Sequence, residues 1–264
     1  MNKYIFAVLF VPMLAAAQET PLATDADRAK PSPLVASAAS TIAPAAKAVL
    51  ANGLGLSLIE SHRLPLVAIT LVIPQAGSHD DPSGKEGLAS FVASMAKEGV
   101  PGLPTAAALS DAIDDIGASL SVSAGSDATT VSVLVLKENL GRAMELMGKI
   151  VREPSSLSGS PETAAALERM RQRSLSGLEM EKGDAEALGG KRLAAALFGD
   201  TPRGRSATEG SINAITPADI AARHRTSMVP NGAVLSVAGD VTLDELKSLA
   251  GANFGAWTPA TAPG

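Results

Sequence analysis

The chain has 264 residues and a formal net charge of −5, enough length for one large domain or two small ones with a proper core. The mild acidity, with no basic block to neutralise phosphates, argues against general nucleic-acid binding. The absence of cysteine excludes disulfides, thiolate zinc sites and a cysteine nucleophile.

The first residues read as an export signal. Lys3 gives a positive start, Tyr4–Ala15 is an apolar run too short for a membrane span of about 20 residues, and Ala15-Ala16-Ala17 offers a cleavage site. A signal peptide over 1–17 predicts a periplasmic or secreted protein with no membrane span after cleavage. No Cys stands at the boundary to carry a lipid. Residues 18–46 are rich in Ala, Pro, Ser and Thr, bury too little to offset their ordering entropy, and read as a flexible leader.

The folded domain is expected over 47–257, with a Pro/Ala-rich linker or tail at 258–264. Asn52-Gly53 is a hairpin signal, followed by strand patterns at Leu54–Ile59 and Leu66–Ile73. In Gly87–Gly99, Leu88, Phe91, Val92 and Met95 recur at i, i+3, i+4 and i+7, which predicts a helix with one apolar stripe. Its other face carries Ser90, Ala93, Ser94 and Lys97, and positions 90, 93 and 94 lie over one another.

Thr105 can cap a helix to about Ile116, ended by Gly117. Leu120–Ala124 and Thr129–Leu136 read as two strands around Gly125-Ser126-Asp127. Leu140–Val151 is an amphipathic helix, and Pro161 stands near the first turn of a long one through about Lys182. Asp184–Phe198 is another helix and Gly199–Gly210 a loop. Thr216-Pro217 opens a further helix, Ala233–Ala238 is a strand, and Thr242–Ala250 is the last helix. Strands followed by runs of helices, without strict alternation, predict an α+β fold: a mixed, largely antiparallel sheet covered on one face by helices.

The stretch G-L-A-S-F-V-A-S-M-A-K-E-G resembles the active helix of the pitrilysin/insulinase-type zinc peptidases, the inverted-motif zincins, which typically reads G-x-A-H-F-L-E-H-M-x-x-x-G. Gly87, Ala89, Phe91, Met95 and Gly99 match, and Val92 is a close substitute. Ser90, Ala93 and Ser94 stand where that family has its two His ligands and its Glu base, so the motif is degenerate. Their small size is expected to let neighbouring elements close over the space of the ion.

Further matches are Pro202, Gly204, Arg205 and Gly210, and the run from Thr216 through Pro230-Asn231 to Gly239-Asp240. The third zinc ligand of the family aligns near Leu175 or Arg171, neither of them acidic. Glu168, Glu179 and Glu181 read as solvated helix charges. The resemblance covers Lys47–Trp257 and corresponds to the first domain of what is usually a two-domain half. It implies an extended peptide held along the strand containing Leu120, Ser121, Val122 and Ser123, by main-chain pairing that does not depend on catalysis.

His62, His79 and His224 are the only histidines, with no i, i+4 pair. There is no G-x-S-x-G elbow or phosphate loop, and no His or Lys base lies at helical spacing to Ser90 or Ser94. The expected function is therefore a non-catalytic homologue of a zinc metallopeptidase, with no catalytic residues and no cofactor. It would bind extended peptides and act as partner to an active peptidase subunit, or as a homo-oligomer. The alternatives are an active zinc endopeptidase with displaced ligands and a simple periplasmic scaffold.

Overall fold

A computed structural model describes residues 44–259. The signal peptide and nearly all of the leader expected from the sequence lie outside them. Ala46, read as the end of the leader, is the first residue of β1 (Ala46–Val49), paired with Leu58. The chain turns at Asn52-Gly53 into β2 (Gly55–Glu60). Asn52 also clamps the far end of the domain: its side-chain amide donates to the Phe254 and Trp257 carbonyls at 2.8 and 3.0 Å.

The other strands are β3 (Leu66–Pro74), β4 (Ser119–Ala124), β5 (Ala128–Leu136) and β6 (Val234–Gly239). They form one six-stranded sheet in the order β1-β2-β6-β3-β5-β4. Every pairing is antiparallel except β2 with β6, so the sheet is mixed and largely antiparallel. β6 enters between two strands laid down some 170 positions earlier. At its end Gly239 lies so close to β3 that a Cβ there would stand 2.1 Å from the Leu66 carbonyl oxygen.

Strand alternation places one face in the core and leaves the other open. Val67, Ile69, Leu71 and Ile73 of β3 are buried, as are Val131, Val133 and Val135 of β5. On the open face the register aligns Ser57, Ser236, Thr70, Ser132 and Ser121 across five strands. This hydroxyl row keeps the middle of that face polar. The helices cover the buried face alone.

Eight α-helices occur among the described residues: α1 (Leu88–Met95), α2 (Ala106–Asp114), α3 (Leu140–Arg152), α4 (Pro161–Glu181), α5 (Ala185–Phe198), α6 (Glu209–Ala214), α7 (Pro217–Ser227) and α8 (Leu243–Phe254). Thr105, Ser160, Asp184 and Thr216 cap α2, α4, α5 and α7 through side-chain oxygens.

Most boundaries fall within a residue or two of the sequence reading, and three differences are instructive. α2 stops at Asp114 rather than Ile116. α8 runs on to Phe254, carrying Gly251 within it, because Phe254 is fully buried and anchors the last turn. α6 starts inside the stretch read as a loop. Its capping box pairs Thr208 with Ser211 instead of the usual Glu or Gln, so the ordinary signature is missing.

Candidate peptide-binding cleft

The site is built around α1, whose position is set by polar ties at its N-terminus. Gly87 precedes the helix at φ +105°, and a Cβ there would meet Ile212 Cδ1 at 2.9 Å. Gly87 has no side chain to cap the helix. Asp81, buried six positions upstream, does so instead, accepting from the Gly87 and Ala89 N–H groups, each at 2.9 Å. Burial pushes the Asp81 carboxyl above its ordinary value, and these backbone bonds oppose the shift.

The turn between them is pinned from three directions. Arg205 pairs with Glu86 at 3.1 Å, Ser211 Oγ donates to the Glu86 carbonyl at 3.0 Å, and Lys85 pairs with Asp219. Arg205 and Asp219 both belong to the later matching runs of the sequence. Their matches thus mark side chains that hold the α1 entry.

The apolar stripe of α1 is buried as expected, but so is Ala93, at 2% exposure. α1 packs against β4, α4 and α7, and an element enclosed on several sides buries more than one stripe. Ser90 is exposed and Ser94 half-buried. The expected closure over the ion's space therefore holds only at Ala93. Beside Ser94 a cleft of about 520 Å³ opens between α1, α2, α4 and the start of β4.

Leu120 lines this cleft, while Val122 is buried and Ser121 and Ser123 are exposed along β4. β4 is the last strand of the sheet, bonded to β5 alone, so alternate N–H and C=O groups of its outer side have no strand partner. The structure thus places Ser94 and Leu120 in one cleft, with Ser90 exposed outside its lining and Ala93 buried in the core.

The remaining candidates lie apart. Arg171 donates to the Ile212 and Ile215 carbonyls at 2.5 and 2.9 Å, tying α4 to the end of α6. Leu175 packs at the edge of the core. Glu168 bonds Arg171 and Gln172, Glu179 pairs with Lys182, and Glu181 with Lys191.

His62 bonds Asp240 and His79 bonds Asp127. The bond to Asp240 raises the His62 pKa. His224 is buried, with Nε2–H donating to the Val151 carbonyl at 3.0 Å; burial lowers its pKa to about 4. No group of three or more His, Cys, Asp or Glu side chains converges among the described residues. No helix there is long and apolar enough to cross a membrane.

The fold is that of an α+β domain, with a mixed, largely antiparallel sheet covered on one face by helices, and solved peptidase domains share it. The crystal structure of a peptidase M16 inactive domain from Pseudomonas fluorescens superposes with a TM-score of 0.74 at 25% identity, over 83% of this chain and 52% of that one. The periplasmic protease PqqL of Escherichia coli superposes with a TM-score of 0.72 at 18% identity, over 84% of this chain and 25% of that one. An uncharacterized zinc protease of Mycobacterium leprae (strain TN) is 30% identical over 76% of this chain and 44% of its own length. The chain thus spans less than half of that relative and about half of the Pseudomonas fluorescens chain.

The sequence profile of the insulinase family, peptidase family M16, matches residues 57–207. This chain belongs to that family.

Proposed function

We propose that this chain is a non-catalytic member of the insulinase family that binds extended peptides along β4 and works beside an active peptidase subunit. The observation that carries the reading is the open cleft joining the bare edge of β4 to an α1 whose three functional positions hold Ser90, Ala93 and Ser94.

Zinc in proteins is held by His, Cys and carboxylate side chains. Two neutral hydroxyls and a methyl do not fit it, and neither Leu175 nor Arg171, the two positions that align with a third ligand, is acidic. β-augmentation needs none of that chemistry, because main-chain groups supply the affinity. The ties from Asp81, Glu86 and Ser211 hold α1 in place as a wall of the cleft.

The partner is supported by α5, which buries none of its residues and exposes Leu193, Leu197 and Phe198. Stable interfaces bury about 1,200–2,000 Å² in total, and an apolar helix face is a natural start for one. The similarity to a periplasmic protease and to a domain described as inactive agrees with an exported, non-catalytic role.

The test is zinc content, peptidase activity and peptide binding measured together on purified protein. Substoichiometric zinc with peptide binding that survives a chelator is the expected result. Chelator-sensitive proteolysis overturns it in favour of displaced ligands. For the partner, co-purification from the native host followed by sizing should recover an active homologue; a lone monomer at native expression levels defeats that part.

A further inference from the structure

We infer that the cleft selects peptides carrying a carboxylate, which Lys97 and Arg173 bind while the peptide backbone pairs with β4. This rests on the peptide-binding reading above and adds its chemical specificity.

The charges of the cleft carry the inference. Its lining includes three cations, Lys97, Arg169 and Arg173, and two anions, Glu98 and Asp114. Arg169 and Glu98 neutralise each other in an ion pair at 3.1 Å. Lys97 and Arg173 are exposed and make no side-chain hydrogen bond or ion pair among the described residues, although most other cations of this chain do. Against the remaining Asp114 they leave the cleft at +1, three cations less two anions, in a chain whose net charge is −5. A cationic cleft in an acidic protein attracts anionic ligands that the rest of the surface repels.

The placement suits a peptide. Lys97 stands in the turn just past the C-terminal end of α1, three positions beyond Ser94, and Arg173 one turn beyond Arg169 on α4, and both line the cleft with the start of β4. A guanidinium matches a carboxylate through two parallel N–H bonds, and a partly enclosed cleft screens that contact less than open solvent does. The volume of about 520 Å³ falls within the range of about 300–1,000 Å³ that holds ordered ligands. The edge strand would supply sequence-independent affinity and the two cations the discrimination.

The test uses short, fluorescently labelled Thr/Val peptides that differ only in one central residue, Glu, Gln or Lys, each with a free or an amidated C-terminus. Anisotropy titrations of the purified protein should show the Glu peptide binding about tenfold tighter than the Gln peptide, as expected for one charge-assisted contact, with the Lys peptide weakest. If amidation weakens the Glu and Gln peptides alike, the carboxylate is that of a chain end; if the Glu peptide stays the tighter one in the amidated set, it is that of a side chain.

The Lys97→Gln/Arg173→Gln variant should bind the Glu and Gln peptides equally. Lys247→Gln, a charge change on α8 outside the cleft, should keep the preference. Equal binding of all three peptides by the unaltered protein with no loss on amidation, or a charge preference that survives in the double variant, overturns the charge selection and leaves peptide binding standing. No binding of any peptide removes the peptide reading and this inference together.

Discussion

Helices α1 and α5 are both rich in alanine and leucine-class residues, yet they end in opposite environments. α1 buries six of its eight residues; α5 buries none of its fourteen. α1 is enclosed by β4, α4 and α7, whereas α5 is tied back mainly by the Glu181–Lys191 ion pair and by half-buried contacts with the end of α4. Apolar content alone therefore does not say which helix is core. The enclosed helix forms a wall of the cleft, and the bare one exposes an apolar surface.

Matched truncations would break this contrast most directly. Phe91→Ala should cost about 3–5 kcal/mol, because the ring is fully buried and leaves a cavity. Phe198→Ala, on a ring that is 44% exposed, should cost under about 1 kcal/mol. Urea unfolding of both variants measures the difference. Equal losses would show that α5 is as much a part of the core as α1.

The next effect concerns pH and the helix packed on α1. His224 of α7 has a pKa of about 4 in the folded protein against 6.5 ordinarily, because it is buried beside Arg225. Its folded pKa is depressed, so the unfolded chain binds more protons between these values and stability falls as pH drops from 6.5 toward 4. The loss should reach about 2–3 kcal/mol near the lower end. Asp81, whose pKa is raised, acts in the opposite sense and should survive unchanged in a His224→Gln variant. Unfolding midpoints of the two proteins across this window should converge at acid pH. Parallel curves would exclude His224 as the source.

Asp81→Ala tests what holds the enclosed helix. Removing the carboxylate leaves one buried and one part-buried backbone donor at the start of α1 unsatisfied, at a cost of about 1–3 kcal/mol. Hydrogen exchange should quicken first in α1 and the cleft wall. Uniform quickening across the sheet would mean that Asp81 supports the whole domain instead.

The smallest effect on the isolated chain should come from Leu193→Lys with Leu197→Lys, within about 0.5 kcal/mol each, since both side chains are exposed. The same pair should abolish recovery of the partner in co-purification. Undiminished recovery would move the interface away from α5.

Local pattern made much of this protein legible. The 3.6-residue spacing of Leu88, Phe91, Val92 and Met95 and the alternation in Leu66–Ile73 depend only on neighbours in the chain, as do the caps at Thr105 and Thr216. The same holds for the family resemblance, which lies in short runs that the domain comparison bears out. The small residues at 90, 93 and 94 suggested closure at all three, but only Ala93 is buried, because which side of α1 is enclosed depends on where β4, α4 and α7 pack.

Tertiary structure alone decided what requires distant segments to meet. It inserted β6 parallel to β2, some 180 positions away, and made β4 the edge. It brought Asp81 onto the α1 terminus across a loop that has no periodicity to read. It also gathered Lys97, Arg169 and Arg173 around one cleft, from the turn after α1 and from α4, some 70 residues apart. In the sequence those three are ordinary surface cations, since charge carries no period and declares no partner until the backbone has placed it.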